Sequence, residues 1–211
     1  RVVRGLLNGE EVNFTLNKET QPIRFQDREL NCINLKDQVP IYVGANGPKA
    51  LAATGAYGDG RVSAGTEPTR VMQSNMERVR RGAEEAGREL PDDFHTSVLT
   101  YSCVLKAGES LMSDRVINET GAPVVSSLHF WYELMLQRGN DGFIQDAIRE
   151  EWEDYKRYVG NMPRERCHQT LHQGHCAFLP DNERQFVTPN LIRATMGLVG
   201  EPDEIKEQVA E

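Results

Sequence analysis

Hydrophobic and polar positions change period several times along this chain. Val12, Phe14 and Leu16 fall at every second residue, so residues 11–35 read as extended segments joined by turns. Val39-Pro40-Ile41-Tyr42-Val43-Gly44-Ala45 is a short apolar run of the buried parallel-strand type. Asn46-Gly47-Pro48-Lys49 follows, and a proline placed there suits the first turn of a helix over 50–57. Gly58-Asp59-Gly60 breaks that helix, and residues 61–65 form a second short strand. Thr66 or Thr69 is placed to cap a helix running to about Gly87. Its Met72, Met76, Val79, Ala83 and Ala86 step by 4, 3, 4 and 3, which is one buried face. Phe94 to Leu105 reads as a third strand. Strand, helix, strand, helix, strand in that order predicts right-handed βαβ units and a parallel sheet, an α/β fold.

From Ser110 to Thr195 the pattern is mostly helical and aromatic. Leu128, Trp131, Tyr132 and Met135 share one face, and Ile144, Ile148, Trp152 and Tyr155 follow at helical spacing. Gly200-Glu201-Pro202-Asp203-Glu204-Ile205 opens a last helix, with acids near its positive end. The chain begins without Met in what reads as the last turn of a helix, and stops inside another. The expectation is a piece of a longer chain. Three parallel strands leave open sheet edges, so further strands or a second copy are expected to cover them, favouring a homo-oligomer.

Composition narrows the function classes. Hydrophobic residues make up 38% of 211, enough for a core and against wholesale disorder. No apolar run approaches the ~18–20 residues of a membrane span. A net charge of −8 argues against nucleic acid, and the Arg78, Arg80, Arg81 cluster reads as a solvated helix face. Four cysteines do not make a disulfide framework, so a reducing cytoplasm is the expected compartment.

The strongest chemical motif is the loop Gly44-Ala45-Asn46-Gly47-Pro48-Lys49 between strand and helix. Free backbone N–H groups and the helix dipole favour an anion there, and Asn46 and Lys49 add an amide and a charge. It is neither a Walker loop nor a dinucleotide fingerprint, and an ordinary strand-to-helix turn is the plain alternative. The run from Val39 to Leu51, continued by Ala56-Tyr57-Gly58-Asp59-Gly60-Arg61-Val62-Ser63, resembles the luciferase-like monooxygenase superfamily. That group takes in flavin-dependent monooxygenases and deazaflavin-dependent methylene-tetrahydromethanopterin reductases. Arg4–Glu10, Gly82–Arg88 and Val199–Ile205 resemble further segments of the same family, in the same order.

The resemblance implies a (β/α)8 TIM barrel, here incomplete, with strands five to seven and a helical insertion over residues 110–195. It implies an oxidoreductase that uses reduced FMN with oxygen, or coenzyme F-420 for hydride transfer to a small organic substrate. Ala45, Asn46, Gly47, Pro48 and Lys49 would bind the cofactor phosphate. Ala64, Gly65 and Thr66 would lie near the ring system or its side chain. With FMN, a separate flavin reductase is an implied partner. The family's first four strands and its eighth have no counterpart here, which removes residues the family keeps on them. A non-catalytic flavin-binding or interaction protein is the alternative reading.

Cys167-His168-Gln169-Thr170-Leu171-His172-Gln173-Gly174-His175-Cys176 is a second candidate. Three readings stand: surface histidines, a substrate-pocket lining or proton-transfer group formed by His172 and His175 with Trp131, or a zinc-binding module at the His168–His175 cluster, in which His168 and His172 stand at i and i+4. No metal site is assigned. Glu183 and Arg184 are expected to pair with each other or with solvent. His129 sits in an aromatic helix beside Trp131 and Tyr132, either as a satisfied core residue or, with Trp131, as part of a lid excluding water. His129 and His175 are the only catalytic candidates. Cys103 reads as a small buried hydrophobe rather than a nucleophile.

Overall fold

The computed structural model describes residues 1–30, 32–65 and 67–210, the side chain of Ala64 excepted. The chain divides into two compact units, residues 1–99 and 100–211, each considered by itself.

The first unit opens on a short helix, α1 (Val2–Leu7), and an antiparallel hairpin of β1 (Val12–Leu16) and β2 (Glu19–Ile23). Its centre is a parallel sheet of order β3-β4-β5, with β3 at Tyr42–Gly44, β4 at Gly60–Ala64 and β5 at His95–Leu99. Helix α2 (Pro48–Tyr57) and helix α3 (Thr69–Glu85) provide the two crossovers. Proline at the first position of α2 starts that helix two residues earlier than its apolar pattern suggests. Thr69 is the first residue of α3, with Pro68 at the cap position, so it does not cap the helix.

Two glycines let α2 and α3 cross closely. A Cβ on Gly55 would stand 1.9 Å from the Val79 carbonyl oxygen, and one on Gly82 would stand 2.3 Å from that of Ala52. Leu51, Val79 and Ala83 are buried beside this crossing, with Met76 packed against them, as the 3.6-residue period requires; Ala86 is exposed. The run 39–45 is less buried than its composition implies. Val39 and Tyr42 are 58% and 47% exposed, and only Ala45 is enclosed. β3 is an edge strand of the described sheet, so its apolar residues have a neighbour on one side only.

The single strand expected over 94–105 is two. β5 ends at Leu99, and β6 (Ser102–Val104) pairs in parallel with β7 (Leu198–Gly200) in a separate sheet of the second unit. Strand formers run almost unbroken through this stretch, so the pattern carries no mark of the change of partner.

The second unit is built on α4 (Asp114–Arg138), α5 (Arg149–Gly160), the short α6 (Cys167–Leu171) and α7 (Pro189–Thr195), with α8 (Pro202–Ala210) following β7. Ser113 caps α4 by accepting the Val116 N–H, and Thr188 caps α7 through Leu191. Val124, Leu128, Ile148, Trp152, Tyr155, Leu191 and Ile192 form the core, and Trp131, Tyr132 and Met135 pack against it. Trp152, Tyr158 and Phe186 surround the Tyr155 ring at centroid distances of 6.1, 6.0 and 5.1 Å. All four cysteines are free thiols, Cys103 buried among them. No helix among the described residues is long and apolar enough to cross a membrane.

Candidate functional site

In a parallel sheet the carboxyl ends of adjacent strands face the same way, so the segments after β3 and β4 meet. Gly44 stands opposite Val62, and the Ala45 N–H donates to the Val62 carbonyl at 3.1 Å. Ala45, Asn46 and Gly47 therefore run from β3 into α2 directly beside Ser63, Ala64 and Gly65. This sets the motif's Ala45, Asn46 and Gly47 beside Ala64 and Gly65, the positions the resemblance implies for the ring system or its side chain. Thr66 lies outside the described residues, and of Ala64 only the backbone is described. Gly65 has φ +101°, a conformation that favours glycine.

The loop rests on a buried ion pair that the sequence reading missed. Arg61, on β4, is completely enclosed. Its Nε donates to the Ala45 carbonyl at 2.9 Å and its Nη1 to Glu67 Oε2 at 2.8 Å, while Nη2 meets Glu67 Oε1. Asn75 Nδ2 donates to the same oxygen at 3.0 Å. Ser63 Oγ lies 2.9 Å from Glu67 Oε1 and 3.1 Å from Asn46 Oδ1. The Arg61 guanidinium, helped by Ser63 and Asn75, holds the Glu67 carboxyl below its ordinary pKa despite burial. One network thus fixes the Ala45 carbonyl and the Asn46 side chain. Its signal in the sequence was an arginine within a short strand otherwise lined by small and apolar residues.

Above this floor the loop is open. Gly47 has φ −88°, and a Cβ on either Gly44 or Gly47 would meet nothing within 4 Å. Neither backbone conformation nor neighbouring atoms among the described residues require glycine at these two places. No side chain caps α2, Pro48 has no N–H, and Lys49 is exposed at the first turn. Bare backbone at Gly47, the first-turn amides and an exposed lysine thus fall together at one helix start, a combination that suits a phosphate.

A second polar hub closes the opposite, amino-terminal end of the same sheet. Asp59 accepts from Arg4 Nη2 at 2.8 Å and from the Ile41 N–H at 2.8 Å, and Arg88 Nη1 donates to the Gly55 and Gly58 carbonyls at 3.1 and 2.5 Å. Burial pushes the Asp59 carboxyl up, but the Ile41 amide, Arg4 and Arg88 outweigh it and leave its pKa below normal. A cleft of about 880 Å³ lies here, lined by residues that include Arg4, Asn8, Tyr57, Asp59 and Arg88. Its Arg4, Asp59 and Arg88 are committed to joining α1, α2 and the sheet. We read it as structural.

The remaining candidates belong to the second unit. His129 is buried on α4, His172 is half-buried, His175 is exposed, and the rings of the last two lie 5.6 and 6.2 Å from that of His129. Trp131 packs on the core. His168 is exposed on α6 and does not join the other three. Glu183 and Arg184 do not pair with each other. Glu183 turns inward to His129, and Arg184 reaches Asn118 and Asp114, each at 2.8 Å.

A family model described as luciferase-like monooxygenase matches residues 1–211. The chain belongs to this family. It is similar to an F-420-dependent glucose-6-phosphate dehydrogenase of Nakamurella multipartita, 28% identical over 113 residues, which are 53% of this chain and 29% of that one. It is also similar to two solved structures. One is the coenzyme F-420-dependent tetrahydromethanopterin reductase of Methanopyrus kandleri, at 16% identity and a TM-score of 0.41 over 98% of this chain and 58% of that one. The other is an F-420-dependent secondary alcohol dehydrogenase in complex with an F-420–acetone adduct, at 19% identity and a TM-score of 0.43 over 99% and 56%. The chain spans under two thirds of the length of each of these relatives.

Proposed function

We propose that this chain carries the cofactor-phosphate site of a luciferase-like oxidoreductase, built into part of a (β/α)8 barrel. Coenzyme F-420 is the cofactor we favour, in keeping with the F-420 dependence of the curated relative. FMN is the second reading, favoured by the monooxygenase description of the family model. The deazaflavin supplies hydride exchange with a small organic substrate; reduced FMN supplies activation of oxygen, with electrons from a separate reductase.

The observation that carries this reading is the bare backbone at Gly47, set at an uncapped helix start over a rigid floor. In this scheme the amides of Lys49 and Ala50 donate to phosphate oxygens. The Lys49 ammonium offsets their charge. Arg61 touches no ligand; by holding the Ala45 carbonyl it keeps the loop from turning its carbonyls toward the anion. Gly65 lets the backbone after β4 approach the cofactor from the side.

Titration of the chain with F-420 and with FMN, followed by absorption and fluorescence, tests the proposal. Saturable binding of one of them is expected. Binding of neither would remove the cofactor assignment.

A further inference from the structure

Three histidines from distant parts of the sequence converge in the second unit. One ring nitrogen each of His129, His172 and His175 lies within 4.8 Å of the others. The His129 side chain is fully enclosed. Its Nε2 faces both Glu183 oxygens, at 3.0 and 3.1 Å, while its Nδ1 has no hydrogen-bond partner among the described residues. A buried ring nitrogen left without a partner is costly, so it calls for a ligand. His172 Nε2 lies 2.7 Å from Glu133 Oε1, which leaves its Nδ1 turned to His175 Nδ1 at 3.3 Å.

That last separation is a hydrogen bond between the two rings, and it is also the spacing of two ligands on one ion. Two nitrogens bound at about 2.0–2.1 Å to one tetrahedral ion stand about 3.3 Å apart. The far nitrogens of His129 and His172 both meet a carboxylate, the arrangement that fixes the tautomer and raises the basicity of a metal-binding imidazole. The backbone supports the same convergence. Cys176 takes φ +57°, rare for a residue with a side chain, and its N–H donates to Ser126 Oγ on α4 at 3.0 Å. The segment bearing His175 is thereby tied to the helix bearing His129 at some conformational cost.

We infer that His129, His172 and His175 bind a divalent transition-metal ion of the zinc class, each through a ring nitrogen that no carboxylate engages, backed by Glu183 and Glu133. Three imidazoles without thiolate suit zinc, and the exposed side at His175 leaves a fourth position for water or a small ligand. The ion joins α4 to residues 172–176. This inference is independent of the cofactor proposal, which concerns the other unit.

The test is a zinc titration of tag-free, chelator-stripped protein against a fluorescent chelator, with a cobalt titration read by visible absorption. One ion per chain is expected, with cobalt bands of a four-coordinate site and a raised melting temperature. Glu183→Gln, which keeps a hydrogen bond to His129, is expected to weaken binding about 10–100-fold. His175→Ala, at an exposed position, is expected to weaken it further, and His168→Ala to leave it unchanged. Circular dichroism establishes that each variant is folded. Clearly substoichiometric zinc in the wild-type chain would overturn the inference, as would undiminished affinity in folded His175→Ala.

Discussion

Glu67→Ala is the sharpest probe of the floor beneath the loop. Glu67 receives both terminal nitrogens of Arg61 together with contacts from Ser63 and Asn75. Removing it leaves a fully enclosed guanidinium with one remaining acceptor among the described residues, the Ala45 carbonyl. Stranding one member of a buried pair costs about 3–5 kcal/mol. In a chain of this length about 2–4 °C of melting temperature is lost per kcal/mol, which gives a fall of roughly 6–20 °C. Urea denaturation and thermal melts followed by circular dichroism measure both quantities. The double variant Arg61→Leu with Glu67→Leu discriminates further. It removes both charges and is expected to be less destabilised than Glu67→Ala alone, because no buried charge is orphaned. The pH dependence has a definite sign as well. The folded Glu67 carboxyl titrates below its usual 4.5, so its contribution is complete above that value and is lost as pH falls through the folded pKa. A Glu67→Ala variant within about 1 kcal/mol of wild type, or a double variant less stable than it, would refute the role given to this pair.

Gly55→Ala is expected to destabilise the first unit by about 3 kcal/mol in urea melts, since the added Cβ meets the Val79 carbonyl and backbone has to move; a neutral effect would mean that α2 and α3 do not cross as described. Asp59 titrates below its usual 3.8, so it stabilises above that pH and loses its contribution as pH falls. Acid titrations of Asp59→Asn should therefore show a shallower loss of stability than wild type below pH 3.8, and identical curves would contradict the hub. Lys49→Glu is expected to weaken cofactor binding by about 1–3 kcal/mol in the absorption titration; unchanged affinity would displace the phosphate from this loop.

The α/β order and the site loop were legible because both are local. A six-residue run with Gly and Pro at set places between a strand and a helix announces itself without tertiary knowledge. The helical faces of the second unit were legible for the same reason, since Leu128 and Trp131 or Ile148 and Trp152 recur at the helical period. What escaped depends on which distant residues meet. Arg61 looked like one polar residue in a strand, and nothing in its neighbours named Glu67 as its partner. Glu183 has an arginine beside it in sequence, yet it turns to a histidine 54 positions away. His168 and His172 share a helical spacing that suggested a pair, whereas the fold exchanges His168 for His129. The break between β5 and β6 was hidden because strand propensity reports extended backbone and not the identity of the partner strand.

On the function proposed above, backbone at Gly47 is bare so that a phosphate can approach it. Binding of F-420 and FMN to wild type and to Gly47→Ala, measured beside thermal melts of both, tests it most directly. The added methyl group meets no atom of the described residues, so stability is expected to change by no more than about 1 kcal/mol, from the weaker helix cap. Cofactor affinity is expected to fall at least about tenfold, or about 1.4 kcal/mol. A folded Gly47→Ala variant that binds the cofactor as tightly as wild type would contradict the account.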